Sequence, residues 1–190
     1  MRSYTFSLFS VLLLFPVVVL AQQNKTVPVD NDFVQKQFGT TCSLMPGPQP
    51  QIADLDGDGI ADIVIVAHCK NPMMDESEHG FRVIDPYNAF FGYGSPQVTS
   101  QFASEDPQMR GLVLLVIHGT GPEAWRSATP KMKFVIINLP FKSIVVKKLA
   151  LRKKMVMAIF AEETGADNMT STIFWDGRKY RYQPLGSGLE

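Results

Sequence analysis

Residues 54–62 read Asp-Leu-Asp-Gly-Asp-Gly-Ile-Ala-Asp, and this acidic stretch limits the possible folds more than any other segment of the chain. Four carboxylates and two glycines within so short a stretch cannot be part of a packed core, because buried charges need partners. At about 5 Å and an effective dielectric constant near 20, each like-charged pair costs about 3 kcal/mol. The sequence therefore predicts a loop whose negative charge is balanced by a cation.

The spacing of the oxygen donors is typical of a calcium loop. Asp54, Asp56 and Asp58 alternate along the chain, so each can present one oxygen to the same ion. Ile60 is expected to offer its backbone carbonyl, and Asp62 is expected to close the shell directly or through water. Calcium accepts six to eight oxygen ligands in flexible geometry, which suits such a loop.

An EF-hand is disfavoured on two grounds. Its twelfth loop position requires a bidentate glutamate, and that position is Ile65 in this chain. A helix should also follow the loop, whereas residues 63–67 form the β-branched run Ile-Val-Ile-Val-Ala. That run predicts a short strand with both faces buried.

The acidic loop, running directly into this strand, resembles the calcium loop of FG-GAP or VCBS repeats of integrin-α-type β-propellers. The resemblance covers only about fifteen residues of the chain. It implies that Asp54, Asp56, Asp58 and Asp62 bind calcium between two strands. Dockerins and thrombospondin-type modules use similar loops, so it implies the ion more strongly than the fold. A propeller has at least about four blades, and a single copy of the motif implies a binding module instead.

The N-terminus predicts export. Arg2 precedes an apolar run at 11–20 that Pro16 interrupts, and Val-Leu-Ala at 19–21 provides a signal-peptidase site. The run is shorter than the roughly 20 apolar residues that span a membrane. We therefore expect a cleaved signal peptide at 1–21, a single β-rich domain at 22–190 without a membrane span, and a periplasmic or extracellular location.

Export also permits a disulfide between the two cysteines of the chain, Cys42 and Cys69. That bridge would enclose the whole acidic motif and hold the loop against the preceding segment. The chain-entropy argument gives it about 3.5 kcal/mol of stabilisation. Two buried free thiols are the alternative.

Apolar runs rich in Val and Ile predict a mainly β fold, α+β at most. Strands are expected at 63–67, 112–118, 133–139, 143–151, 155–160, 170–175 and 178–182. Asp176-Gly177 predicts a hairpin between the last two. Asp32 is expected to cap a short helix that ends at Gly39. Together these features predict one antiparallel sheet of about six or seven strands with one short N-terminal helix.

Residues 70–110 form the least regular part of the chain and carry an aromatic patch at Tyr87, Phe90, Phe91 and Tyr93. A segment of this length inside a compact domain is usually functional or partly structured. With His118, it supports the alternative of an exported hydrolase in which calcium has a supporting role. The sequence contains no Gly-x-Ser-x-Gly nucleophile motif, so no catalytic residue is assigned.

Charge argues against a nucleic-acid partner. Without Arg2, 17 of the 18 Lys and Arg residues remain against 18 Asp and Glu, which gives no attraction to nucleic acid or to an anionic membrane. The favoured interpretation is an exported calcium-binding β-rich domain that acts as a binding or envelope-associated module. We expect Ca2+ to be its cofactor, with a structural role, and an unidentified protein or glycan to be its partner.

Overall fold

The computed structural model describes residues 28–152, 154–165 and 168–185. The predicted signal peptide at 1–21 lies outside the described residues. Strands account for 41% and helices for 16% of the structure, so the prediction of a mainly β protein is confirmed. Within the described ranges, no helix is long and apolar enough to cross a membrane.

The described residues form ten strands, three α-helices and one short 3-10 helix. The strands are β1 Cys42–Leu44, β2 Gln51–Ala53, β3 Asp62–Cys69, β4 Arg82–Ile84, β5 Leu112–His118, β6 Met132–Ile136, β7 Phe141–Leu151, β8 Lys154–Glu163, β9 Met169–Trp175 and β10 Tyr180–Pro184. The helices are α1 Asn31–Phe38, α2 Pro72–His79 and α3 Pro86–Phe91, and the 3-10 helix is Gln101–Ala103.

The first sheet has six strands in the order β1-β3-β5-β6-β4, with β2 also paired to β3. All of its strand pairs are antiparallel except β4 with β6. The central strands β3 and β5 are buried along nearly their whole length. This confirms the prediction of a strand with both faces buried.

Alternate side chains of β3 face two different hydrophobic clusters, as the two-residue period of a strand requires. Ile63 and Ile65 pack in the cluster that contains Phe33 of α1. Val64 and Val66 pack in the cluster formed with the second sheet. The first sheet is therefore a middle layer between α1 and the second sheet.

The second sheet has four antiparallel strands in the order β10-β9-β8-β7. The predicted hairpin at Asp176-Gly177 is confirmed, and Gly177 has the positive φ of 100° that favours glycine. The Asp176 N–H donates to the Lys179 carbonyl at 3.0 Å. Its carboxylate accepts from the N–H groups of Arg178 and Lys179 at 2.8 and 2.9 Å. The turn thus spans four residues, and β10 begins at Tyr180, two residues later than predicted.

The prediction of one sheet with one helix is wrong, because the strands divide into sheets of six and four and three helices are present. Two predicted neighbours, β6 and β7, belong to different sheets. Between them, Asn138 has a φ of 60°, and this left-handed residue lies where the chain leaves the first sheet. A periodic apolar pattern marks a strand but does not say which strand it pairs with.

The N-cap of α1 also differs from the prediction. Asp30 is the cap, and its side chain accepts a hydrogen bond from the Phe33 N–H at 2.8 Å. Asp32 lies inside the first turn, where its charge is favourable near the positive end of the helix. The prediction of an acidic N-cap is correct, but the capping residue is Asp30 and not Asp32.

Residues 70–110 are partly structured, which was one of the two expectations for them. Pro72 and Pro86 occupy the first turns of α2 and α3, where a missing N–H costs nothing. Between these helices, β4 forms an edge of the first sheet. In the aromatic patch, Tyr87 is buried and packs edge-to-face on Tyr182 of β10 at 5.0 Å, whereas Tyr93 is exposed. Part of the patch therefore covers the core.

Candidate metal centre

The acidic loop lies between β2 and β3, and backbone N–H groups fix its first carboxylate. Asp54 Oδ1 accepts from Gly57 at 2.8 Å and from Asp58 at 3.1 Å, and Oδ2 accepts from Gly59 at 2.9 Å. Gly57 and Gly59 have φ values of 78° and 85°, which other residues rarely adopt. The two glycines therefore allow the chain to turn around Asp54. The N–H of Ile60 then donates to Asp58 Oδ1 at 2.9 Å.

Asp54, Asp56 and Asp58 converge as the alternating spacing predicts. One carboxylate oxygen from each lies within 4.8 Å of the others. Oxygens on opposite sides of a calcium ion, at 2.3–2.6 Å from it, are about 4.6 to 5.2 Å apart. The three oxygens therefore fit a single calcium shell, and hard carboxylate donors suit that ion.

A cavity of about 360 Å3 opens beside the loop and gives it access to solvent. Asp54 and Asp56 line one side. Lys148 of β7 and Lys154 of β8 line the other side. Two of the three carboxylates, those of Asp54 and Asp56, therefore border a cavity, and Asp58 is not part of its lining.

Asp62 lies apart from this three-carboxylate cluster. It is fully buried at the start of β3, where Oδ2 accepts from the Leu55 N–H at 2.7 Å and Oδ1 accepts from the Gly119 N–H at 2.8 Å. Burial raises the pKa of Asp62 to about 6, and the hydrogen bonds from the backbone oppose this rise. In this position Asp62 anchors the base of the loop to the turn that follows β5.

The ammonium group of Lys131 is a cation that already contacts the loop. The sequence did not predict this contact. The Lys131 Nζ lies 2.6 Å from Asp56 Oδ2 and 2.7 Å from Asp58 Oδ2. The hydrogen bonds to these carboxylates raise the pKa of Lys131, and the hydrogen bond from Lys131 lowers the pKa of Asp58 although burial opposes it. Lys131 lies just before β6, far along the chain from the loop, so no local pattern connects them.

His118, at the end of β5, lies directly behind the loop. Its side chain is fully buried among the rings of Phe134, Trp175 and Tyr180. Nε2 lies 2.6 Å from the Tyr180 hydroxyl. Nδ1 lies 3.4 Å from Asp56 Oδ2, yet it has no hydrogen-bond partner among the described residues. A buried polar atom without a partner is costly, and this one lies next to Asp56 of the three-carboxylate cluster.

The protonation of His118 follows from its surroundings. Burial holds the pKa of His118 below its ordinary value, although the Asp56 carboxylate opposes this effect. The ring is therefore neutral at pH 7. With its proton on Nδ1, the ring would accept from the Tyr180 O–H and direct an N–H at Asp56.

Gly119 leaves no room for a side chain next to this histidine. A Cβ at this position would overlap the Ala61 carbonyl oxygen and lie 2.8 Å from the Trp125 nitrogen. Its N–H is the donor that holds Asp62. The glycine therefore lets the turn after β5 approach the end of the acidic loop.

The disulfide between Cys42 and Cys69 is confirmed and joins β1 to β3. The two residues are opposite each other in the antiparallel pair. Cys69 is the last residue of β3 and Asp62 is the first, so they lie about 23 Å apart at 3.3 Å per residue. The expectation that the bridge holds the acidic loop directly is wrong, because the bridge fixes the opposite end of the strand.

The comparisons with known proteins find no relative of this chain. No family model matches the chain, and neither does any curated protein or solved structure. The likeness to FG-GAP or VCBS calcium loops therefore stays a resemblance of one loop.

Proposed function

We propose that this protein is an exported β-rich domain that binds Ca2+ at its acidic loop and acts as a binding or envelope-associated module. Asp54, Asp56 and Asp58 would supply the carboxylate ligands. The observation that carries the proposal is the convergence of these three carboxylates within 4.8 Å in front of the unpartnered Nδ1 of His118. The same proposal includes ligation by the Ile60 carbonyl, which the loop spacing predicts, and by Asp62, directly or through water.

The role assigned to calcium is structural and modest. The loop is already held by backbone hydrogen bonds to Asp54 and by the Lys131 ammonium. Extracellular calcium modules have dissociation constants of about 10⁻⁴ to 10⁻³ M. At millimolar calcium this corresponds to about 0.5 to 1.5 kcal/mol of stabilisation. The ion would fix the outer side of the loop and would not be required for folding.

The alternative of an exported hydrolase is less well supported. A general base must lie within hydrogen-bond reach of its substrate, and His118 is fully buried between the two sheets. Its Nε2 is also engaged with the Tyr180 hydroxyl at 2.6 Å. This environment does not favour the predicted hydrolase, in which His118 would act together with the 70–110 segment. An activity screen that finds hydrolysis abolished by His118→Ala, in a variant that still folds, would favour the enzyme.

Calcium titration by calorimetry, combined with thermal unfolding in calcium and in chelator, tests the proposal. We expect saturable binding and a higher melting temperature in calcium. Asp58→Asn should weaken binding at least about tenfold, because it removes one charged ligand. Asp32→Asn is the matched control, since Asp32 is exposed on α1 and outside the cluster. The absence of calcium binding, with identical melting in chelator, would refute the proposal.

A further inference from the structure

A second cavity, of about 320 Å3, is lined by residues of β4, α3, β6 and the β9–β10 hairpin. It is enclosed by β4, the start of α3, and the turn and strand of β10. Four basic residues contribute to its lining: Arg82, Arg178, Lys179 and Arg181. All four residues are exposed, so their charges face the solvent at the cavity mouth. None of the residues lining this cavity belongs to the acidic loop.

The positive charge of this basic cavity is only partly balanced. Arg181 Nε pairs with Asp176 Oδ2 at 2.6 Å. Among the described residues, no carboxylate forms an ion pair with Arg82, Arg178 or Lys179. Three cations therefore share the cavity mouth without an anionic partner, and the repulsion between them favours binding of an anion.

Asp85 is the single carboxylate among the described residues of the lining, and it forms no ion pair with these cations. Its Oδ1 accepts from the Asn88 N–H at 2.9 Å, where it caps α3. Its Oδ2 accepts from the side-chain amides of Asn88 and Asn138 at 2.8 and 2.6 Å. Neutral amides and a backbone N–H thus satisfy Asp85, and the guanidinium groups of Arg82 and Arg178 form no ion pair with it.

Aromatic rings form the floor of the basic cavity. Phe134, Tyr180 and Tyr182 are buried beneath it, and Phe90, which is 52% exposed, stands at its edge. The ring of Phe90 packs edge-to-face on Tyr182 at 5.2 Å. An exposed aromatic ring beside a positively charged cavity offers an apolar surface to the uncharged part of a ligand.

We propose that the basic cavity binds a small organic anion, in which a carboxylate or phosphate group is attached to a ring. Arginine guanidinium groups bind both kinds of anion in bidentate fashion, and the aromatic floor accommodates the ring. The volume is at the lower end of the roughly 300–1,000 Å3 of small-molecule sites. The cavity therefore fits one ring and not an extended polymer.

This proposal does not depend on calcium binding. The cavity and the metal cluster use different residues, although Tyr180 of the floor also bonds to His118. A protein that fails to bind calcium would leave the anion site untouched. Failure to bind organic anions would equally leave the calcium site standing.

Calorimetric titration of the full chain with four probes tests the proposal: phenyl phosphate, benzoate, inorganic phosphate and phenol. We expect saturable binding of phenyl phosphate or benzoate, and the tighter of the two identifies the charged group. Inorganic phosphate should bind at least about fivefold more weakly than phenyl phosphate, because it lacks the ring. Phenol should show no saturable binding, because it lacks the charge at pH 7.

Arg82→Gln and Arg178→Gln should each weaken binding about fivefold or more, since each removes a charged donor from the site. Both residues are exposed, so the variants should fold normally. Arg152→Gln is the matched control, because Arg152 is exposed in the β7–β8 turn and outside the cavity. Three results would overturn the proposal: no saturable binding of either ring anion, equal binding of inorganic phosphate and phenyl phosphate, or equal weakening by the Arg152 control.

Discussion

Lys131→Met is the most informative single change, because Lys131 occupies the position from which a bound ion would neutralise the loop. Its ammonium contacts Asp56 and Asp58 at 2.6 and 2.7 Å. Methionine keeps most of the side-chain length and removes the charge. If calcium must displace this ammonium, the variant should bind calcium more tightly than the original protein. The ion-free protein should at the same time lose stability.

The size of both effects follows from the exposure of the pair. The Lys131 side chain is 42% exposed and that of Asp58 is 27% exposed, whereas that of Asp56 is 2% exposed. Because the ammonium remains in contact with solvent, we use the value for exposed ion pairs, about 0.2 to 1 kcal/mol each. Two pairs give about 0.5 to 2 kcal/mol. Calcium affinity should therefore rise about 2- to 30-fold. The melting temperature of the calcium-free protein should fall by about 1 to 8 °C, since 1 kcal/mol corresponds to about 2 to 4 °C at this size.

Calorimetric titration gives the affinity, and thermal unfolding in chelator gives the stability of the ion-free state. Lys70→Met is the control, because Lys70 is exposed at the disulfide end of β3, and it should change neither value. Suppose that Lys131→Met destabilises the ion-free protein but binds calcium no more tightly than the original. The Lys131 ammonium would then stay in contact with Asp56 and Asp58 when calcium binds, and calcium would not displace it.

Three further changes test contacts outside the three-carboxylate cluster. Gly119→Ala should cost about 2 to 3 kcal/mol of unfolding free energy in urea, because the new Cβ overlaps the Ala61 carbonyl oxygen; a cost below about 0.5 kcal/mol would contradict this. Cys42→Ala with Cys69→Ala should cost about 3.5 kcal/mol for their separation of 27 residues, with calcium affinity unchanged because the bridge lies at the opposite end of β3. Asp176→Asn should destabilise the β10 hairpin at pH 7. Burial is the largest single effect and raises the pKa of this carboxyl, but the hydrogen bonds from Arg181, Lys179 and Arg178 together outweigh it and lower the folded pKa to about 2 from 3.8. Its contribution is present above pH 3.8 and lost as the pH falls through 2, so unfolding curves of variant and original should converge there.

The strands from β5 onward could be predicted because each is long and continuously apolar or alternating. β5 was predicted with its observed bounds, 112–118. The strands β1, β2 and β4 have three residues each, which is too few for a periodic signal. Their strand conformation comes from pairing with residues far along the chain, as Cys42 with Cys69. The division into two sheets also depends on pairing between distant residues, so the apolar pattern does not predict it.

Only part of the candidate site could be predicted from the sequence, because some of its contacts join residues that are distant in the chain. Alternating carboxylates and glycines are local, so the convergence of Asp54, Asp56 and Asp58 follows from the sequence. Asp62 is chemically identical to them, but it pairs with Ala53 as the first residue of β3, and the strand turns it towards Gly119. Lys131 reaches the loop only because β6 pairs with β5. The spacing of carboxylates along the chain can therefore predict the ligands of an ion. The residues that surround these ligands depend on the tertiary structure.

The contacts of the loop explain why its ion should matter for local shape more than for folding. Asp62 is held by Gly119 at the end of β5, and Asp56 lies against His118 of the same strand. His118 in turn contacts the Tyr180 hydroxyl across the interface between the two sheets. The inner side of the loop is thus fixed by the packing of the sheets, before any cation is considered. Only the outer side, with Asp58 and the exposed Lys131, depends on which cation is bound, so calcium would act on the surface that a partner could contact.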